Sequence, residues 1–383
     1  MTKLDLDIEQ FWKDEATAWE DNCFSKNTKQ AALGIRMSDE CVFAELGEEG
    51  QPWGYTDPMR RYDLNCRYNE KAIKIVGRPL LGENKPDPKK DLLPKLPATK
   101  QIGEVFGGKY VFDGNTTWLE GTLDDDEALR KKLDEIDILL ADPEKFRSFV
   151  LPADWDQKCK EVFEATGRRP GQFSGVRGPV TLATSVFGIE NLIYLYYDDE
   201  GLFARFGETI TRVVLAYVDL FIKESGHTDA DFAHGFSFFD DDSNLFTPEM
   251  YKLLGYPTLK AVFAKCAPNE KDFRYQHSDS AMGHLIPMLA DFNLTGCNFG
   301  PTITVQEIRK YMPRTRIDGQ LAPFTFMRNN EEEIIAEVKR DCEAAKIDDI
   351  RGLGVTTAGS INNGSLLTSM RAVMAAIQNY GRY

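Results

Sequence analysis

In the second half of the chain, short apolar runs each stop at a group of polar residues, and stretches with helical spacing fill the intervals between them. The runs read Phe236-Ser237-Phe238-Phe239-Asp240-Asp241-Asp242, Arg274-Tyr275-Gln276-His277-Ser278-Asp279, Gly296-Cys297-Asn298-Phe299, Ile317-Asp318-Gly319-Gln320 and Gly354-Val355-Thr356-Thr357-Ala358-Gly359-Ser360. Strand, polar tip and helix, repeated in that order, predict a parallel sheet covered by helices. The fold class expected is α/β, a TIM (β/α)8 barrel with an N-terminal helical extension. In such a barrel the polar tips at the C-terminal ends of the strands are where the chemistry is placed.

The same rhythm is legible further upstream. Phe173-Ser174-Gly175-Val176 predicts a short strand, and Arg177-Gly178-Pro179-Val180-Thr181-Leu182-Ala183 turns it into a helix, with Pro179 near the first helical position where its missing N–H costs nothing. Apolar residues at three- and four-residue intervals predict a long helix over 200–225. Thr247-Pro248-Glu249-Met250 is a capped helix start with Thr247 as N-cap. Outer helices are expected over 331–345 and 366–380.

The first hundred residues have a different texture. Helical spacing marks 7–22 and 57–76, whereas 77–100 is rich in Pro, Lys and Asp and reads as a loop. A glycine-rich segment, Gly47 to Tyr55, offers Trp53 as one wall of a pocket. Gly107 to Trp118 reads as a hairpin with Asp-Gly turn chemistry, placed at the barrel floor or at a dimer edge. The division expected is therefore an extension over 1–100 packing on a barrel over 101–383.

Composition narrows the function. A chain of 383 residues with 46 Lys and Arg against 61 Asp and Glu carries a formal charge of -15, which offers no basic field for a phosphate backbone. No nucleic-acid partner is expected. The opening residues Met1-Thr2-Lys3-Leu4-Asp5 lack a secretory layout, and no apolar run approaches the roughly 20 residues that span a bilayer. A cytoplasmic protein without membrane contact is the expectation. Seven cysteines without CxxC pairs predict reduced thiols, and only Cys297 lies at a strand tip.

Several segments together carry a family resemblance: Gly178 to Ala183, Leu245-Phe246-Thr247-Pro248-Glu249-Met250-Tyr251, Gln276-His277-Ser278-Asp279, Gly319-Gln320-Leu321-Ala322-Pro323 and Tyr380-Gly381-Arg382-Tyr383. From Phe173 onward the chain resembles the uroporphyrinogen decarboxylase superfamily. That resemblance implies a TIM barrel, a possible homodimer and one of two chemistries: cofactor-free decarboxylation of a tetrapyrrole, or methyl transfer involving corrinoid proteins or thiols. The arginine-rich N-terminal motif of the decarboxylases is absent from this sequence. The thiol-activating members carry His-x-Cys and a later Cys as zinc ligands, whereas this chain has His277-x-Asp279 and Ser360 near the later position. The resemblance thus implies the branch that passes a methyl group from a methoxylated substrate to the cob(I)alamin of a separate corrinoid protein, the first step of an anaerobic O-demethylation. A decarboxylase, or a non-catalytic module that binds a corrinoid protein, is the alternative.

Breaking an ether needs a proton or a Lewis acid at the leaving oxygen, because an alkoxide or phenolate leaves poorly. His277 and Asp279, two apart on a strand, share a face and are the candidate catalytic pair together with Asp240. In one version His277 is the proton donor and Asp279 orients its ring. In the other, His277 and Asp279 bind zinc, with Asp240, Cys297 or another tip residue completing the set. Asn298, Gln320, Ser360 and Asn362 are candidate substrate hydrogen-bond partners, and Trp53, Phe239, Phe299 and Phe324 are candidates for stacking on an aryl ring. The corrinoid-carrier motif Asp-x-His-x-x-Gly is missing, since Asp231-Phe232-Ala233-His234-Gly235 fails it in spacing; cobalamin is expected on a partner.

Overall fold

The computed structural model describes residues 4–50, 52, 57–112, 117–227, 233–347, 350–360 and 364–383. Among them are nine strands: β1 (Ala32–Leu33), β2 (Lys109–Phe112), β3 (Thr117–Glu120), β4 (Gly175–Arg177), β5 (Gly235–Phe239), β6 (Phe273–Ser278), β7 (Gly296–Phe299), β8 (Arg316–Leu321) and β9 (Leu353–Thr357). Seven pair in parallel, while β2 and β3 form an antiparallel hairpin. The chain divides into two compact units, one of Met1–Pro86 with Tyr275–Tyr383 and the other of Asp87–Arg274.

In the first unit the strand order is β1-β9-β8-β7-β6. Ala32 pairs with Gly354 and Leu33 with Val355, so part of the expected N-terminal extension is a strand of the sheet. Two residues are too few to show a period of two, which is why the sequence pattern concealed this strand. Helices Glu331–Ala345 and Leu367–Tyr380 follow β8 and β9 and pack on each other, and their Val338, Cys342, Val373 and Ile377 are buried. Helix Pro58–Val76 packs on the latter, with Arg371 donating to the Ile75 carbonyl at 2.8 Å. Its start follows from Asp57, whose carboxylate accepts the Met59 N–H at 2.9 Å, and its end from Gly77 at φ +85°.

The periodic stretch over 7–22 is only partly helical. Helix Ile8–Glu15 ends at Glu15, whose buried carboxylate accepts the Leu33 N–H, the Gln30 amide and the Trp19 indole N–H. Asp21, Asn22 and Cys23 then run at positive φ (47°, 55° and 68°), a left-handed turn that presents Asn22 to the Thr295 carbonyl at 2.6 Å and to Arg316. Arg316 in turn grips Asp318 with two bonds of 2.8 Å. These tertiary partners override local helical spacing.

The second unit is built around β4 and β5, paired from Gly175↔Ser237 to Arg177↔Phe239. Helix Glu200–Ser225 spans the predicted range, capped by Asp199 on the Leu202 N–H at 2.8 Å and closed by Gly226 at φ +62°. Its Phe203, Phe206, Ile210, Val213, Val214 and Tyr217 are buried, and each such side chain contributes about 1.5–3 kcal/mol on leaving water. Helix Pro248–Cys266, started by Thr247, runs so close to it that a methyl group at Gly207 would lie 2.7 Å from Leu254 Cα. The hairpin is present, with Val111 opposite Trp118, and its Asp-Gly turn lies outside the described residues. The region 77–100 is largely loop, with a single helical turn at Pro88–Asp91 capped by Asp87. None of the seven cysteines forms a disulfide. Among the described residues no helix is long and apolar enough to cross a membrane.

Candidate functional site

In the first unit, chemistry-bearing side chains collect at the C-terminal ends of β6 to β9. His277 Nε2 lies 2.9 Å from Asp279 Oδ1, with side-chain exposures of 20% and 44%, so the pair is held by the protein and reachable from solvent. His277 stands in register with Asn298, and residues in register across parallel strands take the same face. Asn298 donates to the Asp318 carbonyl and to the Thr357 carbonyl (3.0 Å), and its Oδ1 accepts the Gly359 N–H (3.1 Å). One amide thereby ties β7 to the middle of β8 and the end of β9. Gly359, at φ +114°, sits so close to Asp279 that a Cβ there would be 2.8 Å from Oδ1.

Other expected site residues of this unit fall elsewhere. Cys297 pairs in register with Gln276 and Ile317, one residue out of phase with His277, so its side chain takes the opposite face. It is fully buried; burial pushes its thiol up, and the Arg309 guanidinium of helix Val305–Tyr311 opposes that shift. The zinc set of His277, Asp279 and Cys297 therefore does not assemble: His277 and Asp279 offer ligand atoms and Cys297 does not. Phe299 is buried core rather than a stacking surface, because every position of β7 is buried. Gln320 is also fully buried, its amide donating to the carbonyls of Gly300 (3.2 Å) and Ile303 (2.7 Å). Phe324, by contrast, is 64% exposed, and Ser360 is exposed as well. Trp53 and Asn362 lie outside the described residues.

In the second unit, β5 ends at a half-exposed Phe239 and continues into the three aspartates. Asp240, expected as a catalytic carboxylate at the strand tip, is fully buried. Its Oδ1 accepts the Thr181 N–H at 2.8 Å, inside the first turn of helix Pro179–Phe187, and the Thr181 hydroxyl accepts the Asp242 N–H at 3.0 Å. Gly178 makes this approach possible, since a Cβ there would fall 2.2 Å from Asp240 Cβ. Asp240 Oδ2 and the hydroxyl of fully buried Tyr251 have no hydrogen-bond partner among the described residues. Burial drives the Asp240 carboxyl up to about 7, against the Thr181 hydrogen bonds that favour the anion. Burial and Asp241 likewise raise Asp242, while Arg177 opposes them.

Sequence reasoning missed Gly359, Gly178 and Thr181. The two glycines sat inside quoted segments, but a search for polar groups passes over residues that act by having no side chain.

Three comparisons with known proteins bear on this arrangement. The profile of the family described as uroporphyrinogen decarboxylase (URO-D) matches residues 140–380. A methyltransferase from Methanosarcina mazei has a similar structure, with a TM-score of 0.54 at 16% sequence identity over 92% of this chain and 94% of that one. At that identity the likeness concerns the fold. No curated protein sequence matches the chain.

Proposed function

The chain belongs to the uroporphyrinogen decarboxylase (URO-D) family, whose fold is the TIM (β/α)8 barrel, and from that premise we propose that it is a methyltransferase. Its donor is a methoxylated small molecule, an aryl methyl ether, and its acceptor is the cob(I)alamin of a separate corrinoid protein. The observation that carries this reading is the His277–Asp279 pair, an acid with its orienting carboxylate at the exposed end of a parallel strand. The structural likeness to a methyltransferase supports the transfer chemistry.

The corrinoid is a co-substrate here and supplies the nucleophile. As the methyl group passes to cobalt, the C–O bonding pair stays on oxygen, and that oxygen takes a proton from His277. Asp279, 2.9 Å from Nε2, holds the ring in orientation. A positioned acid of this kind contributes about 10² to 10⁴ in rate. Exposed Phe324, just after β8 in the same unit as His277, is an apolar surface that suits an aryl donor.

The test is anaerobic: purified protein, cob(I)alamin and a panel of methoxylated phenols, following loss of the Co(I) spectrum and release of phenol. Methylcobalamin and phenol formed in step, with His277→Ala slower by about 10² to 10⁴, are the expected results. Absence of transfer from every ether overturns the donor class, and carbon dioxide release from a tetrapyrrole would move the assignment to decarboxylation. Stoichiometric zinc in protein purified without chelator, lost in His277→Ala, would replace the proton donor by a metal.

A further inference from the structure

We infer that Asn298 and Gly359 are positioning residues for the His277–Asp279 pair, and that Asn298 is not a substrate contact. The inference rests on the reading of that pair as the acid. Every polar atom of the Asn298 side chain is already used: its NH2 group donates to the carbonyls of Asp318 and Thr357, and its Oδ1 accepts from Gly359 N–H. Asn298 is also buried. An amide with both donors and its acceptor satisfied by backbone has little left for a ligand.

The three bonds have a common consequence. They fix the turn after β9, which the Thr357 hydroxyl reinforces by donating to the Gly359 carbonyl at 2.7 Å. The turn brings the Gly359 Cα against the Asp279 carboxylate, closer than any residue with a Cβ permits. Gly359 adopts φ +114°, a conformation open to glycine and strained for other residues. The carboxylate therefore has a wall behind it and His277 in front, and the wall is held by Asn298. After β6, the main-chain carbonyls of Asp279 and Ser280 crowd Gly300 at the end of β7, where a Cβ would be 2.5 Å from the Asp279 carbonyl oxygen. The carboxylate is thus backed by Gly359, and the main chain that carries it is held against Gly300.

The experiment reads the imidazole directly. The chain has four histidines, His227, His234, His277 and His284, so ring 15N signals in histidine-labelled protein are few, and His277→Asn assigns the one of interest. Asp279→Ala sets the pattern of a ring without its acceptor. Gly359→Ala and Asn298→Ala are expected to move the His277 15N shifts at least halfway to that pattern while the other three histidines stay in place, and to lower kcat by about 10-fold to 100-fold with KM unchanged. Folded variants with a wild-type His277 signal overturn the inference, as does an Asp279→Ala variant that leaves the signal unmoved. Hydrogen exchange on the unaltered protein is a second test: the Gly359 amide is expected to be protected, and exchange at the rate of an open loop removes the Asn298 clamp. Neither NMR readout needs methyl donor or corrinoid. A shifted His277 signal in a protein that transfers no methyl group would remove the proposed function and keep the positioning role.

Discussion

At the scale of single residues, burial and hydrogen bonding decide what a carboxylate does, and they separate two aspartates that look alike in sequence. Asp279 is open to solvent beside His277, whereas Asp240 is enclosed and joined to the Thr181 N–H. The sign of the Asp240 shift gives a prediction. A carboxyl near 4 in the unfolded chain and about 7 in the folded one takes up a proton on folding between those values, so its contribution to stability falls as pH rises through that window. Asp240→Asn keeps an acceptor for Thr181 and removes the charge. Urea denaturation at pH 5 and pH 8 is expected to show a smaller loss at pH 8 in the variant than in the wild type. Equal losses would mean that Asp240 does not titrate in that window. The sequence could not separate the two aspartates, because burial of Asp240 depends on Gly178, some sixty residues upstream, and no local pattern records that approach.

At the scale of elements, long and capped helices were legible and short or tertiary-stabilised ones were not. Helix Glu200–Ser225 came out at its predicted bounds because its apolar period, Asp199 cap and Gly226 stop agree with one another. Helix Ile8–Glu15 stopped early because Glu15 and Asn22 bind groups distant in sequence, and β1 was invisible because it has only two residues. The His277–Asp279 spacing was legible for a related reason: alternation along a strand is local, while the outward face of Cys297 depends on register with its neighbours. The contact between helices Glu200–Ser225 and Pro248–Cys266 supplies a further prediction. Replacing a helical glycine by alanine normally gains about 0.8–1 kcal/mol, but the atoms nearest Gly207 are the backbone of Leu254 and Leu253, which cannot step aside alone. Overpacking of this kind costs about 1–3 kcal/mol, so Gly207→Ala is expected to lower the free energy of unfolding. A variant more stable than wild type by urea titration would mean that the two helices separate freely.

At the scale of the whole molecule, the pairing of Ala32 with Gly354 has a consequence for how the protein is made. A ribosome adds roughly 5–20 residues per second, so β1 waits on the order of tens of seconds for the strand it must join. During that interval the segment before Pro86 lacks the partners that complete its unit, while 87–274 emerges with all of its own. Nascent chains arrested before Leu353 are expected to be cut by protease within 4–86 and protected within 87–274, and chains released at full length to resist at both. Early protection of the amino-terminal segment would mean that it folds without β9. The strand made earliest is thus among the last to find its place, and until then that stretch is the natural client of a chaperone.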